Sequence, residues 1–541
     1  NPDPLDARSS SVAPQNSVGR AAVLIGLFFG LDKIFALARS ALIARTFGVT
    51  MALDAFNAAN NLPDLLFVLI SGGVLAIGLI PVLSEYFDQR GLAVGWELFS
   101  LVANMAFVIT AGVALVVAIF ALPIVQSEVG VAPGFEPAQQ RLVAELMRLN
   151  LVATLIFSIS GFVIGGLHAN RHFLLPALAP VMYNIGQIFG ALVLAPKTFP
   201  LFGLSIPTLG LGVHGLVYGV MLGAALHLGI QLPGLMRYSF HWTPRLSLRH
   251  PGVLSAMALI GPRIVGMGAF QMTELIRDNL ASRLSEGSVT ALTYGWFIMQ
   301  VPETIIGTAA GIALLPALSQ MASRGDYENL RRTISSSLRG VSALTMPAAI
   351  MLLFLVRPFV QVLFEGSAFG PNATDLVVFS AQMFLLGLVG HSLLEVSVRA
   401  FYAHRDAITP TVVAVLAMGL QIVISLSLVR VPRLGYAGLA LSNSLAFTLQ
   451  SLVLLVILCV RLRAFNADFV LRGLGKITCA SGVMAIALAV FVGCWHPASE
   501  LEQGLLGLLL AVGTYAVAAL ALRLEEVQQL RALVLGRLPS R

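Results

Sequence analysis

Charge is what this chain lacks. Of 541 residues only 11% are Asp, Glu, Lys or Arg, while 57% are hydrophobic and the mean hydropathy is +0.88. Soluble domains carry about 25% charge and under about 50% apolar residues, and a single water-facing core stops growing near roughly 250–300 residues. A soluble globular protein is therefore excluded; the solvent for most of the chain is lipid. Strand-like alternation is absent too, which excludes an outer-membrane barrel and makes the spans helical. The cysteines Cys459, Cys479 and Cys494 show no metal-ligand spacing and read as small buried hydrophobes. The nine histidines show none either, and there is no Walker A loop, Rossmann fingerprint or nucleophile elbow. These gaps exclude a transporter with its own ATPase and point away from an enzyme, a metal site or a bound cofactor. The net charge of +7 does not signal nucleic acid, because the arginines are scattered between apolar runs instead of forming a patch.

What is there is a succession of apolar runs, about fourteen of them near the ~20-residue length that crosses hydrocarbon. They fall at 20–48, 63–86, 94–125, 142–167, 174–194 and 209–235, then at 253–284, 289–317, 334–363, 376–401, 410–428 and 438–460, with 477–494 and 505–522 last. The first is expected to serve as an uncleaved signal anchor. Loops bearing Arg90, Arg171, Arg237, Arg324, Arg405 and Arg461 alternate with loops bearing Glu128, Glu286, Glu365 and Glu500. The Lys/Arg bias puts both termini in the cytoplasm; Lys197 and the Arg430/Arg433 pair run against it.

An internal repeat organises these spans. Leu24-Ile25-Gly26 recurs as Leu259-Ile260-Gly261, and Ile80-Pro81-Val82-Leu83-Ser84 as Leu315-Pro316-Ala317-Leu318-Ser319, both at an offset of 235. Ala169-Asn170-Arg171-His172 recurs as Ala403-His404-Arg405-Asp406 at 234. The reading is an all-α polytopic protein: a tail (1–20), a six-helix lobe (21–237), a linker (238–252), a second six-helix lobe (253–462), two further helices (463–524) and a tail (525–541). An even number of spans per half gives parallel repeats about an axis along the membrane normal, an architecture of transporters that expose a central site to each side in turn.

Ionisable groups inside spans are expensive and mark sites by default. The first span carries Asp32, Lys33 and Arg39, with Asp32 and Arg39 two turns apart on nearly one face. Arg45, near its end, reads as a snorkelling residue. The seventh span carries Arg263, Glu274, Arg277 and Asp278. The last three either neutralise one another at i, i+3 and i+4 or, through Glu274 and Asp278, couple an ion. The repeat makes the two spans equivalent, so their polar stripes are expected to face each other across a water-filled cavity. Arg39, always charged and able to grip a phosphate or pyrophosphate bidentately, is the strongest candidate for cargo binding. Pro63, Gly72 and Gly73 interrupt the second span, and Pro302 and Gly307 the eighth, which marks a paired hinge or gate.

The series Ala38-Arg39-Ser40-Ala41-Leu42-Ile43-Ala44-Arg45-Thr46-Phe47-Gly48, Asp54-Ala55-Phe56, Leu62-Pro63-Asp64, Asn170-Arg171-His172-Phe173 with Pro176 and Asn184, Leu314-Leu315-Pro316, and Phe401-Tyr402 with Arg405-Asp406 and Thr409-Pro410 resembles the MurJ (MviN) lipid II flippases, over about residues 20–465. The resemblance implies a fold of the MOP exporter superfamily in the bacterial cytoplasmic membrane, and no enzyme activity. It implies lipid II as cargo: the pyrophosphate on cavity arginines, the polyprenyl tail in a groove of the last two helices. Membrane lipids and cell-wall synthesis proteins would be its partners, and a sodium ion, a proton or the membrane potential its energy source. Arg39 matches the family's cavity arginine, and Arg263 and Arg277 are candidates to join it. Against the pattern, Lys33 stands for an arginine, Ser40 for an acid, Phe67 for an arginine, Gly72 for a glutamate and Phe297 for the eighth-span cavity arginine. Those losses leave open a flippase for another undecaprenyl-pyrophosphate-linked glycan, an ion-coupled multidrug-type antiporter, or a transport-inactive scaffold.

Overall fold

The computed structural model describes residues 15–72, 74–201, 204–247, 249–461, 463–495 and 499–526; the side chains of 15–27, 29, 70–78, 199–206, 256–267 and 269–270 stand outside that description. Gly73 and most of both tails lie outside the described residues, and Gly72 and Arg263 are described in backbone only.

Helix fills every apolar run. The first half is built from α1 (Gln15–Phe47), α2 (Met51–Leu66), a π-helical turn (Phe67–Gly72), α3 (Val74–Arg90), α4 (Leu92–Ile119), the short α5 (Ala121–Gln126), α6 (Pro137–Ala169), α7 (Leu174–Phe189) with a π-helical turn (Gly190–Leu194), α8 (Val213–Gly229) and α9 (Leu232–Arg237). The second half is α10 (Pro251–Ala281), α11 (Ser288–Pro302), a π-helical turn (Glu303–Thr308), α12 (Ala309–Ser323), α13 (Tyr327–Phe364), α14 (Pro371–Leu385), α15 (Leu388–Ala403), α16 (Ile408–Leu428) and α17 (Ala437–Val460), followed by α18 (Ala467–Cys494) and α19 (Glu500–Ala521). Among the described residues ten helices are long and apolar enough to cross a bilayer, or eleven with α14 and α15 taken as one span bent by 41°. The chain is a multi-pass membrane protein whose spans are all helical.

Two expectations need correction. A hairpin, β1 (Thr198–Leu201) against β2 (Leu204–Pro207), pairs Thr198 with Pro207 and Leu201 with Leu204 between α7 and α8. Four-residue strands are too short for a period of two to register in sequence. Cys479 and Cys494 are exposed on the outer surface of α18 instead of buried among protein atoms; in a membrane helix that surface is apolar because it meets lipid.

The backbone repeats as the sequence does. The π-helical turns Phe67–Gly72 and Glu303–Thr308 each follow a helix containing a proline, Pro63 or Pro302. Arg171 and Arg405 both take left-handed backbone, φ 57° and 59°. Non-glycine residues seldom do so, which marks the two turns as one device used twice.

Two compact units form: Asn1–Ile43, Leu62–Ala121 and Ala144–Val265 make the first, and Ala44–Asn61, Leu122–Val143 and Gly266–Arg541 the second. In the first, Trp96, Phe99 and Phe162 anchor the core. The linker after α9 lies against α4: the Trp96 indole donates to the Tyr238 carbonyl at 2.9 Å, and the Asn104 amide to the Thr243 carbonyl at 2.7 Å. In the second, Leu338, Val396, Phe401 and Leu454 form the core. The last two helices are fastened to it by a buried arginine. Arg339 of α13 pairs with Glu526 at 2.6 Å and Glu525 at 3.4 Å, and its guanidinium sits 4.1 Å from the centre of the Phe469 ring.

Candidate substrate and coupling sites

In the first unit, α1 and α7 build one constellation. Asn184 of α7 takes a hydrogen bond from Arg39 Nη1 on its Oδ1 at 3.0 Å and gives one from Nδ2 to Asp32 Oδ1 at 2.8 Å. Asp32 and Arg39 are too far apart along α1 to meet directly, so a neutral amide joins them. The arginine keeps its full charge and most of its five donors. Lys33 is exposed beside them, and Arg39 and Asp64 both act electrostatically on Tyr183. A half-buried guanidinium with uncommitted donors, and an exposed ammonium beside it, suit an anionic ligand of phosphate type. Arg263 lies on α10 in the first unit by backbone; its side chain is outside the described residues.

The second unit treats its arginine differently. Arg277 pairs with Glu274 one turn back and with Asp278 Oδ1 at 2.8 Å, and Asp278 Oδ2 accepts from Asn61 Nδ2 at 2.9 Å. Asp278 is only 2% exposed. The Arg277 guanidinium is held by a carboxylate at Nη1 and another at Nε, as the i, i+3, i+4 spacing allowed, so its charge is spent on its own neighbours.

Segments of the first sequence half are locked into this unit around the same helix ends. Asp54, buried, accepts from the backbone N–H of Gly287 and of Thr290, both at 2.7 Å, which caps the start of α11. Arg45 donates to the Val362 carbonyl at 2.7 Å and the Leu363 carbonyl at 3.0 Å at the end of α13. Arg283 pairs with Glu128 at 2.7 Å. Arg45 therefore ties chain segments together, where sequence reading made it a snorkelling residue.

Sequence reading also passed over a charged group within the eighth and tenth spans. Glu303 opens the π-helical turn, and Glu395 and Arg399 form an ion pair at 2.6 Å on α15. The cost of charge inside a span flags all three; attention to the first and seventh spans hid them. Gly307, read as a hinge, sits where an added Cβ would lie 2.9 Å from the Ser392 backbone. It permits close packing of the turn on α15. Pro63 and Pro302 stand at the ends of the helices that the π-helical turns extend.

Long helices in two repeated halves, with part-buried charge inside the spans, are the build of a secondary transporter. The comparisons narrow that class. The family model described as lipid II flippase MurJ matches residues 43–514, and the chain belongs to that family. It is 31% identical to the lipid II flippase MurJ of Burkholderia cenocepacia, over 80% of this chain and 82% of that one, and 28% identical to a probable lipid II flippase MurJ of Rhizobium tropici, over 92% and 93%. A solved lipid II flippase MurJ in an inward closed conformation superposes with a TM-score of 0.76 at 20% identity, covering 93% of this chain and 99% of that one. A multidrug resistance MATE transporter of the MOP superfamily, inward-facing, gives 0.65 at 14% over 83% and 95%; both share the fold.

Proposed function

We propose that this chain flips lipid II, an undecaprenyl pyrophosphate bearing a disaccharide-pentapeptide, across the bacterial cytoplasmic membrane by alternating access, with both termini in the cytoplasm. Membership in the family supports the cargo. The observation that carries the site is the neutral bridge at Asn184, which orients Arg39 without quenching its charge. Arg39 grips the pyrophosphate bidentately and Lys33 adds a point charge beside it. Arg263 is the candidate for a further cation, and Arg277, held by two carboxylates, serves structure. The polyprenyl tail stays in lipid along α18 and α19, and cell-wall synthesis enzymes consume the product. No cofactor takes part; an ion gradient or the membrane potential supplies the energy.

A second reading is a flippase for a different undecaprenyl-pyrophosphate-linked glycan. Phe297 on α11, where the family pattern has an arginine, favours it. A multidrug-type antiporter built on Glu274 and Asp278 is disfavoured, since both acids are closed on Arg277.

The test is growth of a bacterium depleted of its own lipid II flippase. Rescue by the wild type, and none by Arg39→Ala at equal membrane levels, is the expected result. Failure of the wild type to rescue despite correct insertion overturns lipid II as cargo and points to another glycan.

A further inference from the structure

A pocket of about 630 Å³ opens at one end of the second unit, lined by Arg357 of α13, by Asn372, Asp375, Phe379 and Gln382 of α14, and by Tyr436 just before α17. Its polar groups are already held in place. Asp375 Oδ1 accepts from Arg357 Nη2. The Tyr436 hydroxyl donates to the Leu376 carbonyl at 3.0 Å, and the Gln382 amide to the Leu353 carbonyl at 3.1 Å. The turn before Tyr436 is closed by the Leu434 and Gly435 N–H groups on the Val431 carbonyl, at 2.9 and 3.1 Å. The Tyr436 ring meets Phe379 edge-on, with centroids 6.3 Å apart.

These commitments decide what is left for a ligand. With its proton engaged, the Tyr436 hydroxyl can only accept; Gln382 still offers Oε1 and Asp375 its Oδ2. Donors remain on Arg357, whose side chain is 52% exposed, and on the exposed Asn372. A row of acceptors beside donors suits groups that both donate and accept, which are hydroxyls. A bare phosphate is mainly an acceptor and would leave three oxygens facing it unmet. A lipid chain would bury them all without partners. Phe379 and Tyr436 supply the apolar wall that the C–H face of a sugar ring needs.

Two cations stand beside the pocket. Arg433 precedes Tyr436 by three residues, at most about 11 Å along the backbone, and Arg430 lies at the start of the same turn. Both are exposed, and no carboxylate among the described residues pairs with either. They are the pair that runs against the Lys/Arg bias of the loops. In the orientation proposed above this end faces outward, where the bias gives no reason for cations; an anionic ligand does.

We propose that this pocket binds an anionic saccharide: the sugar ring against Tyr436, Phe379 and the polar groups of α14, its phosphate or carboxylate toward Arg433 and Arg430. The assignment rests on the flippase reading only for the source of the sugar, the lipid-linked glycan once it has crossed. Binding of the sugar does not depend on that reading.

Saturation-transfer NMR on the purified full-length protein in lipid nanodiscs, with N-acetylglucosamine 1-phosphate as the probe, tests the proposal. Wild type and Arg39→Ala both bind it, because Arg39 belongs to the first unit. Asn372→Trp, which fills the pocket from an exposed position, removes binding. Arg430→Gln combined with Arg433→Gln weakens the phosphorylated sugar about tenfold and leaves plain N-acetylglucosamine unchanged. Binding that survives Asn372→Trp, or that is lost in Arg39→Ala alone, overturns the site. So does equal competition by inorganic phosphate or glycerol 3-phosphate, which would make any anion or a lipid headgroup the occupant. Should Asn372→Trp fail to insert, Asp375→Asn decides in its place by weakening both sugars. If the sugar phosphate binds as described while wild type fails the growth rescue, the flippase reading falls and the site stands; rescue without binding does the reverse. Where wild type rescues, weaker rescue by Asn372→Trp supports the transported glycan as the source, and full rescue overturns that source in favour of a soluble saccharide.

Discussion

Arg39 and Arg277 are both arginines inside a membrane span, and their surroundings give them opposite roles. Arg39 touches a neutral amide, and its nearest helix-mate acid, Asp32, is reached only through that amide. Arg277 is closed on two carboxylates, one of them in turn held by Asn61. At the repeat offset of 235, Glu274 occupies the station of Arg39. The halves thus share a backbone and differ in charge where it counts. An available cation can bind cargo; a cation consumed by its own neighbours holds helices in place.

The contrast breaks most forcefully at Arg277. Arg277→Met leaves two buried carboxylates uncompensated, at a cost of about 3–5 kcal/mol, so the folded yield and Tm fall sharply. Adding Glu274→Gln and Asp278→Asn restores most of the loss, since a buried ion group replaced as a whole is close to neutral. Arg39→Met in the same thermal assay costs only about 1 kcal/mol, the worth of one hydrogen bond, yet ends transport. Equal destabilisation by the two would erase the distinction. Asn184→Ala sharpens it: the amide is a positioning residue, and its loss lowers transport about tenfold while binding-site charge is unchanged. Asn184→Gln is expected to recover part of that rate; no recovery would mean that Asn184 acts through packing.

Much of this was legible in the sequence. The spans were, because lipid imposes one length and one polarity on every helix. So was the repeat, because equivalent turns need the same unusual residues, as Arg171 and Arg405 illustrate. Helical spacing gathered Glu274, Arg277 and Asp278 on one side of their helix and left open whether they pair or couple an ion. The bridge at Asn184 was not legible: it joins α1 to α7, 145 residues away from Arg39, and no local period encodes that pairing. The closure of Arg45 onto the end of α13 is hidden for the same reason. Glu303 was missed differently: it stands in the middle of the run read as one span, 289–317, where the paired Pro302 and Gly307 were taken as the feature of interest.

The π-helical turns give a second comparison of the halves, with a smaller expected effect. Phe67 begins the first turn and Glu303 the second. In the second, Gly307 lets the chain approach Ser392 so closely that a Cβ would meet the backbone at 2.9 Å. Gly307→Ala therefore overpacks a fixed contact and costs about 1–3 kcal/mol, read as a lower Tm. A variant as stable as wild type would show that the turn moves freely on α15, as a hinge would.

The smallest effects belong to the equivalent turns at His172 and Asp406, which use different chemistry for one backbone shape. Asp406 accepts from the Thr409 amide at 3.0 Å and its hydroxyl at 2.7 Å. Those bonds, the backbone one foremost, hold its carboxyl below the ordinary value of 3.8. His172 is pushed below 6.5, first by burial and then by Arg237. Both shifts favour the deprotonated side chain in the folded state, so both contributions are complete at high pH and fail on acidification. The histidine contribution shrinks once the pH drops below 6.5, and levels off below its lowered folded value. The aspartate contribution persists until the pH falls past 3.8 and is lost through its own lower folded value. His172→Asn should therefore flatten the Tm profile on the mildly acidic side of neutrality, and Asp406→Asn only in strong acid. Both residues are only partly buried and lie within reach of solvent, so the changes are a fraction of a hydrogen bond's worth. Coincident pH windows for the two variants would mean that the turns are alike in energetics as well as in shape, and the asymmetry between the halves would then be confined to the membrane interior.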